Sequence, residues 1–148
     1  MLSERPVGEA DRIYNILTRD LGLVRARALA VRKPASKLRG ALEPFVLSQV
    51  SLVRGKEYWR VTSAEVIKRI MPLPEIARPL NLIERLVQGE EAHPEFFDAV
   101  EESLSSGELP LVSQIMYRLG YLKESDLNLG KKRLIKAINE GLQSSHLL

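Results

Sequence analysis

The sequence predicts an α+β chain, with a small barrel or sandwich of short strands in its first half and about four helices in its second. Three observations lead there. Residues 1–67 alternate short apolar runs with turn signals at Asp20-Leu21-Gly22, Arg32–Gly40 and Arg54–Glu57. After Pro72 and Pro74 the apolar period changes from two residues to a helical one. Charge divides at the same place. Residues 1–67 hold twelve Lys and Arg against seven Asp and Glu, net +5, whereas residues 68–148 hold ten against twelve, net −2. The expected division is therefore residues 1–70 as a β domain and 71–148 as a helical domain.

The elements follow in order. Asp11–Thr18 (DRIYNILT) reads as a strand, with Ile13 and Leu17 on one face and Tyr14 and Ile16 on the other. Leu23–Val31 is a second strand. Val24, Ala26, Ala28 and Ala30 form its small-residue face, and Leu23, Arg25, Arg27, Leu29 and Val31 the opposite one. The stretch Arg32–Gly40 contains Pro, Ser and Gly and reads as an exposed loop. Pro44–Val53 is apolar and β-branched enough for a strand. Tyr58–Ile67 resumes after the hairpin with Trp59 and Val61 on one face and Tyr58, Arg60 and Thr62 on the other. Phe45 and Trp59 read as core.

In the helical half, Glu75–Gln88 places Ile76, Leu80, Ile83 and Val87 on one stripe, interrupted by Pro79. A second helix begins at Pro94, a residue suited to the first helical position, turns Phe96, Phe97, Val100 and Leu104 inward, and ends at Gly107. A third covers about 109–119 and closes at Gly120. A fourth covers about 131–142, with Leu134, Ile135, Ile138 and Leu142 as its apolar side.

Composition excludes several classes of function. The 45% apolar and 28% charged fractions are those of a folded chain, not a disordered one. No apolar run approaches the roughly 20 residues of a membrane span, and MLSERPVGEADR lacks the apolar centre of a signal peptide. A cytoplasmic, membrane-free protein is expected. The chain has no cysteine, which rules out thiolate metal sites and disulfides. His93 and His146 are far apart and make no metal pair. No Walker loop is present. Glu90-Glu91 and Glu101-Glu102 have no nucleophile or base beside them and read as solvated acids on a helical surface. No enzyme, cofactor or metal is expected.

What remains is a basic surface. Residues 23–60 carry nine Lys and Arg against two acids, net +7, and residues 84–108 one against eight, net −7. Cations on a strand and its following loop suit a phosphate backbone. Arg32, Lys33, Lys37 and Arg39 in the loop are the first candidates for phosphate contact. Arg25 and Arg27 serve equally as DNA contacts or as exterior charges whose stems cover Leu23, Leu29 and Val31. Arg54, Lys56 and Arg60 flank a hairpin, the kind of loop that binds nucleic acid in small barrels. Tyr58 is the stacking candidate. Lys131-Lys132-Arg133 stands where cations oppose the helix dipole, either a solvated helix end or a contact for phosphate or an acidic tail.

The order EADRIYNILTRDLGLVRARA, AVRKPASKLRGALEPF and VSLVRGKEYWRVTSAEV resembles the N-terminal domain of the RecO family of recombination mediators over residues 8–67. RLGYLKE at 118–124 and INEGLQSSHL at 138–147 are similar to the helical region of short members of that family. The resemblance implies an oligonucleotide-binding (OB) barrel followed by a helical domain. It further implies binding of single- and double-stranded DNA, annealing of complementary strands, and help in loading RecA onto coated single strands. RecR and the C-terminal tail of single-stranded-DNA-binding protein are the implied partners, the tail held by the helical half. Two departures stand out. The cysteine-ligated zinc module of many members is missing. Only Met1–Ser3 is available as a remnant of the first strand, so either the start codon lies downstream of the true one or the barrel has an incomplete edge. Another OB-type module, such as an RNA-binding factor, is the alternative reading.

Overall fold

The structure, a computed structural model, describes residues 1–33, 36–44, 46–69, 77–87 and 89–145. The core role expected of Phe45, the helix start at Glu75 and Ile76, the break at Pro72 and Pro74, and His146 lie outside these residues. The chain divides into two units. One covers Met1–Pro72 and Val87–Ala92, the other Leu73–Leu86 and His93–Leu148.

The first unit is built on five strands, β1 (Ser3–Val7), β2 (Asp11–Thr18), β3 (Gly22–Ala28), β4 (Val46–Arg54) and β5 (Trp59–Arg69). Their order is β1-β2-β3-β5-β4, all antiparallel neighbours except the parallel β3–β5 contact. Among the described residues the sheet is not closed, and β1 and β4 are its edges. A five-stranded, partly open barrel with one crossover is the OB-type architecture.

A first strand is present, contrary to the incomplete edge expected from the sequence. Ser3–Val7 pairs with Asp11–Asn15 along its whole length. Its sequence, SERPV, has no apolar alternation because three of its five residues are exposed. Pro6 is tolerated there because the strand lies at the sheet edge.

Among the described residues, Ile13 is buried on one face of the sheet, and the largest cluster of the first unit lies on the other. Tyr14 and Ile16 of β2, Val24, Ala26 and Ala28 of β3, and Val61 of β5 meet there. The small residues Ala26 and Ala28 of β3 share this cluster with Tyr14, which is 1% exposed, and burial pushes its phenol upward in pKa. Two register shifts in β4–β5, at Leu47/Ser48 and Ser51/Leu52, add the bend that a small barrel needs. A 3-10 turn at Arg39–Leu42 buries Ala41 and Leu42, and Leu42 joins the core.

Val31 corrects the strand pattern. The sequence placed it beside Arg25 and Arg27, yet it is 1% exposed in the core. The cause is Ala30, which adopts a left-handed φ of 55° and breaks the two-residue period.

The second unit contains α1 (Ala77–Leu86), α2 (Pro94–Ser103), α3 (Glu108–Arg118) and α4 (Lys131–Ser144), with a 3-10 turn at Glu124–Asn128 that the sequence reading did not anticipate. Pro79 falls in the first turn of α1, where a missing N–H costs nothing. Pro94 opens α2 as its first residue. Gly120 ends α3 at a φ of 87°, and Tyr121 N–H donates back to Met116 C=O at 2.8 Å. Met116, Leu122, Leu134 and Ile138 form a core with Tyr121 and Leu142 packed against it. Ile135, expected on the apolar side of α4, is instead 40% exposed, because the buried stripe follows Leu134, Ile138 and Gly141.

Candidate nucleic-acid interface

Cross-strand register decides which cations share a surface, since residues directly opposite point to the same face. Arg5 of β1 opposes Ile13 of β2, Ile13 opposes Arg27 of β3, Arg27 opposes Arg60 of β5, and Arg60 opposes Val53 of β4. One row across the sheet, on the face opposite Tyr14, Val24 and Val61, thus carries Arg5, Arg27 and Arg60, with Ile13 buried between Arg5 and Arg27. Strand spacing of roughly 4.8 Å makes the row about 14 Å long from Arg5 to Arg60. Arg25, two residues before Arg27, lies on the same face and is exposed. Arg5 was not a candidate from sequence, because its strand was not recognised.

The candidate cations divide into those bound into the fold and those left free. Arg27 donates from Nε and Nη2 to Asp11 Oδ2 at 3.1 and 2.7 Å, while Asp11 Oδ1 accepts the Ala30 N–H at 2.7 Å. One carboxylate therefore holds both the arginine and the left-handed turn. The backbone N–H of Ala30, then the Arg27 guanidinium, holds the Asp11 carboxyl below its ordinary value of 3.8.

Arg39, ranked with the loop contacts from sequence, fastens the loop. Its Nε donates to Val31 C=O at 3.2 Å, and its Nη2 to Arg32 C=O at 3.1 Å and Lys33 C=O at 2.6 Å. Arg32 reaches across to the β1–β2 turn, donating to Gly8 C=O at 3.1 Å. Lys33 and Lys37 stay exposed, on a shallow groove with Leu29, Ala30, Ser36 and Leu38. Among the described residues, the side chains of Arg25, Lys33, Lys37, Lys56 and Arg60 have no hydrogen-bond or ion-pair partner.

The β4–β5 hairpin is also partly engaged. Arg54 pairs with Glu90 at 2.7 Å and lies 5.0 Å over the Trp59 ring, whose Nε1 donates to Glu90 at 2.8 Å. Trp59, expected as core, packs against the core yet keeps this polar edge at the surface. Tyr58 is half-buried, and its hydroxyl accepts from Arg5 at 3.4 Å, which ties β1 to the hairpin. Lys131, Lys132 and Arg133 of the second unit are exposed in the first turn of α4.

This arrangement suits nucleic-acid backbone contact. The free cations lie on or beside the β2–β3 face and the β4–β5 hairpin, the surfaces through which OB-type barrels bind oligonucleotides. No group of His, Asp and Glu among the described residues is placed to hold a metal ion. No helix among them is long and apolar enough to cross a membrane.

Comparison with known proteins agrees with the fold. Residues 1–70 match the family model described as "Recombination protein O N terminal". A DNA repair protein RecO from Dehalococcoides mccartyi (strain ATCC BAA-2266 / KCTC 15142 / 195) is 52% identical over 64 residues, covering 43% of this chain and 25% of the relative. One from Synechococcus sp. (strain JA-2-3B'a(2-13)) is 47% identical over 66 residues, covering 45% and 23%. A third, from Gloeothece citriformis, extends into the helical half at 31% identity over 127 residues, or 79% of this chain. The chain belongs to the RecO family. It spans less than half the length of these relatives, at most 44%. Within the RecO family match, the DRIY segment of β2 contributes Asp11, and the RKPASKLRG loop contributes both the free lysines and the Arg39 fastener.

Proposed function

We propose that this RecO chain binds DNA through its first unit and acts in DNA repair as a recombination mediator. The observation that carries this reading is the set of exposed cations, Arg25, Lys33, Lys37, Lys56 and Arg60, that have no hydrogen-bond or ion-pair partner among the described residues, on an OB-type sheet and its loops. Phosphate contacts from lysines and arginines bind without reading sequence, so single and double strands are both substrates. Sequence-independent binding of two strands also supports annealing, since neutralised phosphates lower the repulsion between complementary strands. The chain performs no bond-breaking chemistry in this reading. By family, its partners are RecR and the C-terminal tail of single-stranded-DNA-binding protein, the tail on the helical unit, with RecA loading as the indirect outcome.

The test is the double variant K33A/K37A. Arg39 is left intact because its removal would release the loop. The variant should bind all DNA sequences more weakly. Its slope of log affinity against log salt should fall by about 1.5, two phosphate contacts at roughly 0.7–0.9 each. An unchanged slope removes the loop from the interface. Tight RNA binding at matched salt without accelerated DNA annealing rejects the mediator reading in favour of an RNA-binding module.

A further inference from the structure

The β4–β5 hairpin carries a cluster that the proposed DNA surface does not explain. Trp59, the single tryptophan of the chain, opens β5 directly opposite Arg54, the last residue of β4. The Arg54 guanidinium covers the indole at 5.0 Å. The two oxygens of Glu90 close the cluster, Oε1 accepting from Trp59 Nε1 at 2.8 Å and Oε2 from Arg54 Nη1 at 2.7 Å.

Glu90 arrives on a segment, Val87–Ala92, that belongs to the first unit although it lies between α1 and α2 in sequence. Backbone contacts hold that segment in place. Leu23 N–H donates to Gly89 C=O at 3.3 Å. The Glu91 backbone comes so close to Gly22 that a Cβ there would stand 2.4 Å from the Glu91 carbonyl oxygen. The Glu90 carboxylate is therefore not the only fastener. It lies at the surface, with side-chain exposures of 67% for Arg54 and 40% for Glu90. An ion pair this exposed is worth about 0–1 kcal/mol and is readily exchanged.

An arginine stacked on an aromatic ring is what single-strand binders present to a base and its phosphate. Two acceptor oxygens on one negative group, bound to a guanidinium and a ring N–H, reproduce what a phosphate offers. We propose that Arg54 and Trp59 form a nucleotide subsite, that Glu90 occupies its phosphate position, and that single-stranded nucleic acid binds there by replacing Glu90 on Arg54. The proposal rests on the nucleic-acid reading above and adds a specific opponent to it. Glu90 repels the incoming phosphate and sets how much of the hairpin takes part in binding.

The experiment titrates a 15-residue oligothymidylate into the full chain. It follows both Trp59 emission and the anisotropy of the labelled oligonucleotide over a sodium chloride series. E90Q keeps an oxygen for the indole N–H and removes the charge. It should bind roughly two- to five-fold tighter than wild type, the size of one exposed charge interaction. It should also show a larger emission change and a salt slope steeper by about 0.7. R54A should abolish the emission change. Equal or weaker binding by E90Q, or an emission change that survives in R54A, overturns the proposal. If K33A/K37A loses binding while E90Q matches wild type, this proposal falls and the general reading stands. If neither wild type nor E90Q binds the oligonucleotide, both fall.

Discussion

Replacing Asp11 by alanine tests how the basic loop is held. Asp11 is 19% exposed and Arg27 39% exposed at the side chain, so their ion pair counts as a partly screened one, about 0.5–1 kcal/mol. The second carboxylate oxygen takes the Ala30 N–H at 2.7 Å, a charge-assisted bond whose loss costs about 1–2 kcal/mol. D11A should therefore lose about 2 kcal/mol in the first unit. At a urea dependence of about 1–3 kcal/mol per molar, the unfolding midpoint should move down by roughly 1 M. Trp59 emission follows the first unit, since the chain has no other tryptophan. Asp11 has a depressed carboxyl in the folded state, so its contribution is complete above its ordinary value of 3.8 and is lost as pH falls through the lower folded value. The difference between wild type and D11A should thus be constant near neutrality and shrink below about pH 4. A midpoint shift under about 0.3 M, or a difference that does not narrow in acid, refutes the reasoning.

Two further substitutions probe backbone geometry. A30G should stabilise the first unit by about 0.5–1 kcal/mol in the same denaturation assay, because glycine relieves the left-handed φ of 55° by more than it adds to unfolded-state freedom. G141A should destabilise the second unit by about 1–2 kcal/mol, followed by circular dichroism. A Cβ there would stand 2.9 Å from the Tyr121 carbonyl oxygen and 3.0 Å from Met116 Cε, and that overpacking exceeds the roughly 1 kcal/mol of helix propensity gained.

Local sequence carried most of the fold because the signals involved are local. Alternation in β2 and β3, the Pro94 start and the Gly120 stop each act within a few residues. β1 escaped because an edge strand with exposed Glu4, Arg5 and Pro6 has no buried alternation to display. Val31 escaped because a single left-handed alanine, held by an aspartate 19 residues earlier, reversed its face.

The interface was harder to read for a related reason. A cation's availability depends on which acids and carbonyls reach it, and those partners are remote in sequence. Arg27 meets Asp11 across 16 residues, and Arg54 meets Glu90 across 36. Charge counting ranks Arg32, Lys33, Lys37 and Arg39 together as the first contacts. Register and hydrogen bonding reverse part of that order, because Arg39 closes the loop over three carbonyls while Arg25 and Arg60 remain open on the sheet. Arginine's planar fork suits it to fastening several carbonyls at once, and a lysine ammonium is the better mobile point charge. The loop uses both accordingly. Its arginines set the shape and its lysines are left to meet phosphate, so R39K should cost the loop its order even though the net charge is unchanged.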